Sequence, residues 1–201
     1  GYKLKHINRK SLAMNILRFK PFSVVACLAM IASSCSSPMC NIHGTMPSEK
    51  YNDVYIYLVP LHNTDSIGVD SVKIKDGQFN FTTNKFGMST LRVDYHYRYG
   101  LQDLLVVEPG NVEVVIDAES HGGGTSQNDS LQVWKEAITD RMQKTQLLSQ
   151  AMREARKNSN QQAIDSIKVE IDSINKAFRK FTSQMADNQP EGTLKTFLTS
   201  F

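Results

Sequence analysis

The sequence predicts an α+β protein in which a small antiparallel β-sandwich of about seven strands is followed by an antiparallel α-helical hairpin. Between residues 40 and 118, apolar residues recur with period two and turn signals interrupt them regularly, which is typical of an all-β domain. After residue 129 the apolar spacing alternates between three and four, which is the period of a helix. The change of period marks the boundary between a sandwich domain at 40–120 and a hairpin at 129–187.

Seven segments have the pattern of strands: 40–46, 52–60, 69–75, 78–82, 89–97, 101–107 and 112–118. The segment 52–60 is apolar on both faces, which predicts a central strand. Asp76-Gly77 predicts a hairpin turn, because Gly adopts positive φ without strain. Cys40 begins the first strand, where we expect a small buried side chain.

The first helix is expected to follow a Gly-rich linker at 121–128 and to be capped by Asp129, with Gln132 completing a capping box. Its apolar stripe is imperfect: Leu131, Trp134, Ile138, Met142, Leu148 and Met152. The second helix has a strict seven-residue repeat, which predicts a coiled-coil seam: Ile164, Ile167, Ile171, Ile174, Phe178, Phe181 and Met185. This seam is expected either to pack within the hairpin or to be shared with a partner helix.

A break at 158–160 makes the two helices antiparallel neighbours. The last segment, 188–201, is expected to open a further helix that is cut short.

The beginning of the chain has the order of an export signal. Met14 is the expected translational start, so residues 1–34 comprise upstream residues and a signal peptide. The apolar stretch 22–32 is shorter than the roughly 20 residues that span a bilayer, but it suits a signal-peptide core. Small residues precede Cys35, which resembles the lipobox of bacterial lipoproteins. The resemblance implies that Cys35 is acylated and that residues 35–39 tether the mature protein to a membrane in the cell envelope, facing the periplasm.

The charge balance excludes nucleic acid as an expected partner. Residues 1–34 hold six basic residues and no acidic one, whereas the remaining 167 residues hold 17 basic and 20 acidic residues. A mildly acidic mature chain has no electrostatic reason to bind nucleic acid.

The cysteines and histidines predict no redox or metal chemistry. Removal of Cys27 with the signal and acylation of Cys35 leave Cys40 alone, so the mature chain has neither a disulfide nor a C-x-x-C pair. The histidines after residue 35 lack the spacing of metal ligands. We therefore expect no cofactor, no metal and no catalytic residue, and hence a protein that is not an enzyme.

One strand carries an unusual run of tyrosines. Tyr95, Tyr97 and Tyr99 alternate with polar residues and share one face of a predicted strand. Either they form an aromatic platform that binds a glycan or a peptide, or they form a cross-strand ladder that covers the core.

Several strand and turn motifs carry a family resemblance: Ile42-His-Gly44, Val54-Tyr-Ile-Tyr-Leu58, Asp70-Ser-Val72, Lys75-Asp-Gly-Gln-Phe79-Asn-Phe81, Val107-Glu-Pro-Gly-Asn111 and Gly124-Thr125. Over residues 35–190 the chain resembles an uncharacterised domain found at the front of Gram-negative envelope lipoproteins. There the domain commonly precedes a thioredoxin-like domain of the thiol:disulfide interchange type. The resemblance implies a fold and a thioredoxin-like domain or protein as partner, and it carries over no catalytic residue.

Three functions remain as hypotheses. The first is a non-catalytic, lipid-anchored accessory or interaction module of the cell envelope. The second is the N-terminal portion of a periplasmic thiol:disulfide oxidoreductase whose thioredoxin-like domain is missing. The third is a glycan- or peptide-binding lipoprotein that uses the tyrosine strand. The sequence leaves the oligomeric state open.

Overall fold

The computed structural model describes residues 37–62, 69–93 and 101–201. Within them, eight strands form two four-stranded sheets, and three helices follow. The strands are β1 (Cys40–Thr45), β2 (Tyr55–Pro60), β3 (Asp70–Lys73), β4 (Gln78–Thr83), β5 (Gly87–Arg92), β6 (Gln102–Val107), β7 (Gly110–Val115) and β8 (His121–Gly123). The helices are α1 (Ser126–Lys157), α2 (Gln161–Asn188) and α3 (Thr193–Thr199).

The two sheets have the orders β4-β1-β7-β8 and β3-β2-β5-β6, and their inner faces share one hydrophobic core. Alternate residues of the strands enter it, as the period of two requires. Its buried members include Ile42, Phe79, Phe81 and Val112 from the first sheet and Ile56, Leu58, Leu91 and Leu105 from the second. The position of β2 between β3 and β5 confirms that segment 52–60 contains a central strand.

The prediction of a seven-stranded, antiparallel sandwich is wrong in two details. There are eight described strands, and β1 pairs with β7 in parallel, with Ile42 opposite Val112. The alternation of apolar residues is the same in parallel and antiparallel strands, so periodicity alone does not give strand direction. The extra strand, β8, lies in the segment 121–128 that was predicted to be a Gly-rich linker.

The predicted tight turn at Asp76-Gly77 is present, but the strands that it joins do not form the predicted hairpin within one sheet. Asp76 and Gly77 have φ angles of 50° and 70°, and the backbones of Lys75 and Gln78 exchange two hydrogen bonds of 2.9 Å. Positive φ at both central positions is the geometry of the tight turns that suit β-hairpins. Since β3 and β4 belong to different sheets, this turn leads the chain from one layer to the other.

Helices α1 and α2 form the predicted antiparallel hairpin. The indole Nε1 of Trp134 donates to Thr182 Oγ1 at 3.1 Å, and Arg141 Nη1 donates to Asn175 Oδ1 at 3.1 Å. From the first contact to the second, the chain advances seven residues along α1 and goes back seven residues along α2. This is the spacing of a regular antiparallel coiled coil.

The seam of α1 differs from its predicted stripe. Met142, which was assigned to the stripe, is 58% exposed, whereas Arg141 and Thr145 are half-buried at the seam. With them, the seam of α1 has the same alternation of three and four as α2: Leu131, Trp134, Ile138, Arg141, Thr145, Leu148, Met152 and Ala155. The polar residues at two seam positions hid this regular repeat.

The base of the hairpin packs on the outer face of the β3-β2-β5-β6 sheet. This second core contains Met88 and Val106 from the sheet, Leu131 and Trp134 from α1, Ala186 from α2, and Leu194 and Leu198 from α3. The short helix α3 agrees with the helix expected to begin in 188–201. Among the described residues, no helix has the length and apolar character that crossing a membrane requires.

Candidate functional site

The side of the sandwich opposite the β3–β4 turn ends in two sheet edges, β6 and β8, and the first turns of α1 cover both. Asn128 of α1 is 3% exposed and lies against β6. Its Oδ1 accepts from the Val106 N–H at 2.9 Å, and its Nδ2 donates to the Val106 carbonyl at 2.8 Å. One carboxamide thus replaces the peptide group of a neighbouring strand, which satisfies an otherwise unpaired edge.

Two further side chains of α1 satisfy the backbone at β8. Gln132 Oε1 accepts from the Gly122 N–H at 3.0 Å, and Asp129 Oδ1 accepts from the Gly124 N–H at 2.9 Å. The predicted role of Asp129 and Gln132 as a capping box is therefore wrong. The helix begins earlier, at Ser126, so both residues lie inside it and point to the sheet edge.

A buried ion pair lies in the same region. Lys135 Nζ donates to Asp103 Oδ1 at 2.7 Å and to the Leu104 carbonyl at 3.3 Å, which ties α1 to β6. Asp103 is 4% exposed, and its Oδ2 has no hydrogen-bond partner among the described residues. Burial raises the pKa of the Asp103 carboxyl, and the Lys135 ammonium opposes this rise. Two of the three N–H groups of Lys135 are engaged, so the amine holds the helix on the strand.

The start of α1 is held by the turn between β6 and β7. The Glu108 carboxylate accepts hydrogen bonds from Thr125 Oγ1, the Gln127 N–H and Gln127 Nε2. A carboxylate at the N-terminus of a helix also favours the helix dipole. Gln127 Oε1 in turn accepts from the Leu194 N–H at 2.8 Å, which connects α1 to α3. The motif residues Glu108 and Thr125 therefore have a structural role in joining sandwich and helices.

A groove with a volume of about 1290 Å³ lies between the β5–β6 face, the β7–β8 connection and α1. Leu61, Leu101 and Ile138 give it apolar walls. Its charged lining residues are Arg92, Asp103, Asp117, Glu119, Lys135, Glu136 and Asp140. The chain's single tryptophan, Trp134, also contributes to the wall. A groove of mixed polar and apolar lining with this volume has the size and chemistry to hold part of a peptide or a glycan.

Several predicted site residues lie outside the described residues. These are Cys35 and the three tyrosines Tyr95, Tyr97 and Tyr99. The nearest described residues on either side of the tyrosine segment are Val93 and Leu101, and the Val93 N–H donates to the Leu101 carbonyl at 3.4 Å. The roles of Cys35 and of the tyrosines stay predictions.

The predicted helix-partner seam lies along the hairpin. Its members are half-buried: Ile164, Ile167, Ile171, Ile174, Phe178 and Phe181. Only Phe178 and Phe181 belong to the core between the hairpin and the sheet. The four isoleucines lie in the distal part of the hairpin, where α1 and α2 cover each other and leave part of the seam open.

Cys40 is fully buried, as expected for a small apolar residue at the start of a strand. Burial raises the pKa of its thiol, which disfavours the reactive thiolate. Across the described ranges, no three His, Cys, Asp or Glu side chains lie close enough together to hold a metal ion.

The strands and the first turns of α1 coincide with a known domain. Residues 40–131 match the family model of a domain of unknown function, DUF4369. The match contains all eight strands and ends at Leu131, just after Asn128. It agrees with the resemblance to an uncharacterised domain, while the association with lipoproteins and thioredoxin-like domains stays a prediction. No curated protein and no solved structure matches the chain significantly.

Sequence reasoning missed the polar residues that join sandwich and hairpin. Asn128 was placed in the linker, Asp103 was assigned no role, and Glu108 was interpreted only as part of a turn motif. A signal existed for Asn128, because it precedes Leu131 by three residues and so continues the buried face of α1. Asp103 sits next to apolar residues in a strand, and its partner Lys135 is 32 residues away, so nothing local predicts the pair.

Proposed function

We propose that this protein is a non-catalytic, lipid-anchored module of the cell envelope whose helical hairpin contacts a partner. The observation that carries the proposal is the extent of the hairpin beyond the sandwich. Within the described chain, neither hydrophobic core includes a residue of α1 after Ile138 or of α2 before Phe178. At about 1.5 Å per residue, the stretch from Arg141 to Lys157 alone is about 25 Å long.

The contacts of four polar residues at the junction of sandwich and helices support a non-catalytic role. Asn128, Gln132 and Lys135 use their side chains to satisfy strand edges, and Glu108 uses its carboxylate to hold the start of α1. Groups engaged in this way stabilise the junction of sandwich and helices and are not free to act on a substrate.

The order of residues before Cys35 supports the lipid anchor. The test is to express the complete chain in a Gram-negative host with a radiolabelled fatty acid, and to fractionate the cells. We expect label and membrane association for the wild type and loss of both for Cys35→Ser. Cys27→Ser, which changes a cysteine inside the predicted signal, is the matched control and should keep both. A labelled, membrane-bound Cys35→Ser variant would refute the anchor.

The contact role of the hairpin has a separate test. Deleting residues 145–151 and 165–171 removes one paired heptad from each helix, so the remaining seam stays in register. We expect this variant to fold and to anchor normally, but to lose its cross-links to other envelope proteins. A cross-linking pattern equal to that of the wild type would contradict the proposed role of the hairpin.

The glycan- or peptide-binding hypothesis is the second candidate, and the groove favours it. Because Trp134 is the only tryptophan and lines the groove, its fluorescence offers a direct readout. Titration with chitooligosaccharides and with short peptides should change this fluorescence in a saturable way. A ligand effect that survives Arg92→Ala and Ile138→Ala together would place binding elsewhere.

A further inference from the structure

The hairpin has one flank that faces the sandwich and one that faces away from it. Asn128 and Lys135 of α1 contact β6, and Ala186 of α2 belongs to the same core as Met88 of β5. In the seven-residue repeat of α1, Lys135 directly follows the seam residue Trp134, and Asn128 occupies the same position one heptad earlier. The residues that directly precede Ile138 and its equivalents in the repeat therefore lie on the opposite side of the hairpin.

Between residues 137 and 177, six residues occupy this opposite position, and we call them the outer flank: Ala137, Lys144 and Ala151 of α1 with Ala163, Glu170 and Ala177 of α2. The pairing of Arg141 with Asn175 brings them into three layers at nearly equal height. The layers are Ala137 with Ala177, Lys144 with Glu170, and Ala151 with Ala163. The outer flank thus has one layer of opposite charges between two layers of alanine.

The half-buried isoleucines of α2 lie beside this flank. Ile164 and Ile171 pack against α1 without being fully covered. Alanine leaves the seam accessible, whereas a larger side chain would screen it. Because small side chains permit close approach of helix axes, a second pair of helices can pack directly over the seam.

We propose that the outer flank is a self-association surface, on which the hairpin of a second copy packs to form a four-helix bundle. A two-fold axis makes each contact occur twice, with residue i of one copy facing residue j of the other. If α1 of one copy lies over α2 of the other, each Lys144 faces a Glu170 and each alanine layer faces an alanine layer.

The charge pattern selects this arrangement over the other symmetric one. If α1 lay over α1, Lys144 would face Lys144 at the centre of the interface, and like charges that face each other are unfavourable. The favoured arrangement is parallel, so both sandwiches lie at the same end of the bundle. Two chains tethered to one membrane meet this requirement, and confinement there raises their effective concentration.

The charged layer of the outer flank, Lys144 with Glu170, is exposed to solvent and can therefore be contacted by a second copy. The side chain of Lys144 is 57% exposed and forms only an i,i+4 ion pair with Asp140. Such exposed pairs contribute little, so Lys144 can exchange its partner at small cost. Glu170 is exposed as well.

The inference goes beyond the proposed function and does not depend on the lipid anchor, so its test uses residues 36–201 without the signal. These residues form one compact unit. Sedimentation velocity over a concentration series should give twice the monomer mass at high concentration. Lys144→Glu and Glu170→Lys should each weaken association by about ten-fold or more, since each places two like-charge pairs in the interface.

Mixing the two variants provides the decisive measurement. Each Lys144→Glu chain presents two acidic groups to the two basic groups of a Glu170→Lys chain, so the mixture should recover the dimer. A charge effect within one hairpin cannot produce this recovery. Lys176→Glu and Asp172→Lys, which change charge at exposed positions off the outer flank, should associate like the wild type.

A steric pair of variants tests the alanine layers. Ala177→Arg should abolish association, and Ser183→Arg, at an exposed position on another face of α2, should preserve it. Circular dichroism verifies that each variant remains folded. A wild type that stays monomeric to about 1 mM, or a mixture of the charge variants that does not dimerise, would overturn the proposal. A dimer that tolerates Ala177→Arg would place the interface elsewhere.

Discussion

Asn128 gives the sharpest test of how the helices stabilise the sandwich. The substitution Asn128→Asp keeps the size of the side chain and keeps an acceptor for the Val106 N–H. It removes the Nδ2 donor that bonds the Val106 carbonyl at 2.8 Å and Thr125 Oγ1 at 2.8 Å. A carboxylate oxygen then faces a carbonyl oxygen in a buried site.

The expected loss of stability follows from these contacts. A buried polar group left without its partner costs about 1–3 kcal/mol, and the site is 3% exposed, so water cannot replace the lost donor. Burial of the new negative charge adds to this cost, for a total of about 3 kcal/mol. With an m-value of roughly 2 kcal/mol per molar of urea, the unfolding midpoint should fall by about 1.5 M.

The pH dependence identifies the mechanism. Burial raises the pKa of the new carboxyl group, and its protonated form can again donate to the Val106 carbonyl. The destabilisation by Asn128→Asp should therefore be large at pH 7 and smaller near pH 4. Asn84→Asp, which adds the same charge at an exposed position, is the control and should shift the midpoint little at either pH. A midpoint shift below about 0.5 M for Asn128→Asp at pH 7 would refute the edge-pairing argument.

Three other substitutions test the core, the buried ion pair and the seam. Gly44→Ala should destabilise the protein by about 2–3 kcal/mol in urea unfolding, because the new Cβ would lie 1.8 Å from a ring atom of Phe79. Adding Phe79→Leu should recover part of this loss, and stability losses of the two substitutions that simply add would contradict the clash. The pKa of Asp103 in the folded protein lies above its unfolded value of 3.8. The titration of Asp103 therefore stabilises the fold at pH values below the unfolded pKa, and this stabilisation is lost as the pH rises through the folded pKa. The stability of the wild type relative to Asp103→Asn, which keeps an acceptor for Lys135, should therefore fall between pH 4 and pH 7, and a flat difference would count against the raised pKa. Arg141→Leu should raise stability by about 1 kcal/mol, because the buried Nε of Arg141 has no partner among the described residues; a loss of similar size would show that its contacts outweigh this cost.

Most of the fold could be predicted from local pattern. The alternation in 78–82 predicted β4, and Asp76-Gly77 predicted the tight turn before it. The turn leads from one sheet to the other, so it did not predict the strand with which β4 pairs, which is β1. The pairing of β1 with β7 could not be predicted, because about 70 residues separate Ile42 from Val112 and the same alternation fits either direction. Non-local pairing is decided by the packing of the complete core.

The candidate site was harder to predict than the fold. The seam of α2 is visible in the sequence, since seven apolar residues mark it without interruption. The seam of α1 contains Arg141 and Thr145, and a polar side chain at a seam position has the same sequence signature as a solvent-facing one. The contacts of Asn128 and Lys135 with β6 depend on the docking of α1 on a distant strand, and no spacing in the sequence encodes them.

The first turns of α1 stabilise the sandwich, and the rest of the same helix forms part of the proposed contact surface. Its first three turns satisfy the edges of β6 and β8, so a sandwich cut off before Asn128 would expose two unpaired edges that favour aggregation. The matched domain ends at Leu131, so it includes the edge contacts of Asn128 and Asp129 but not those of Gln132 and Lys135. Among the described residues, none of α1 beyond Arg141 contacts a residue of either core through an aromatic or core-cluster contact, so we expect substitutions there to change association while the sandwich keeps its stability. The proposed contact role requires a helix that is attached to the sandwich at its base and lies outside both cores at its far end, and α1 combines the two in one continuous helix.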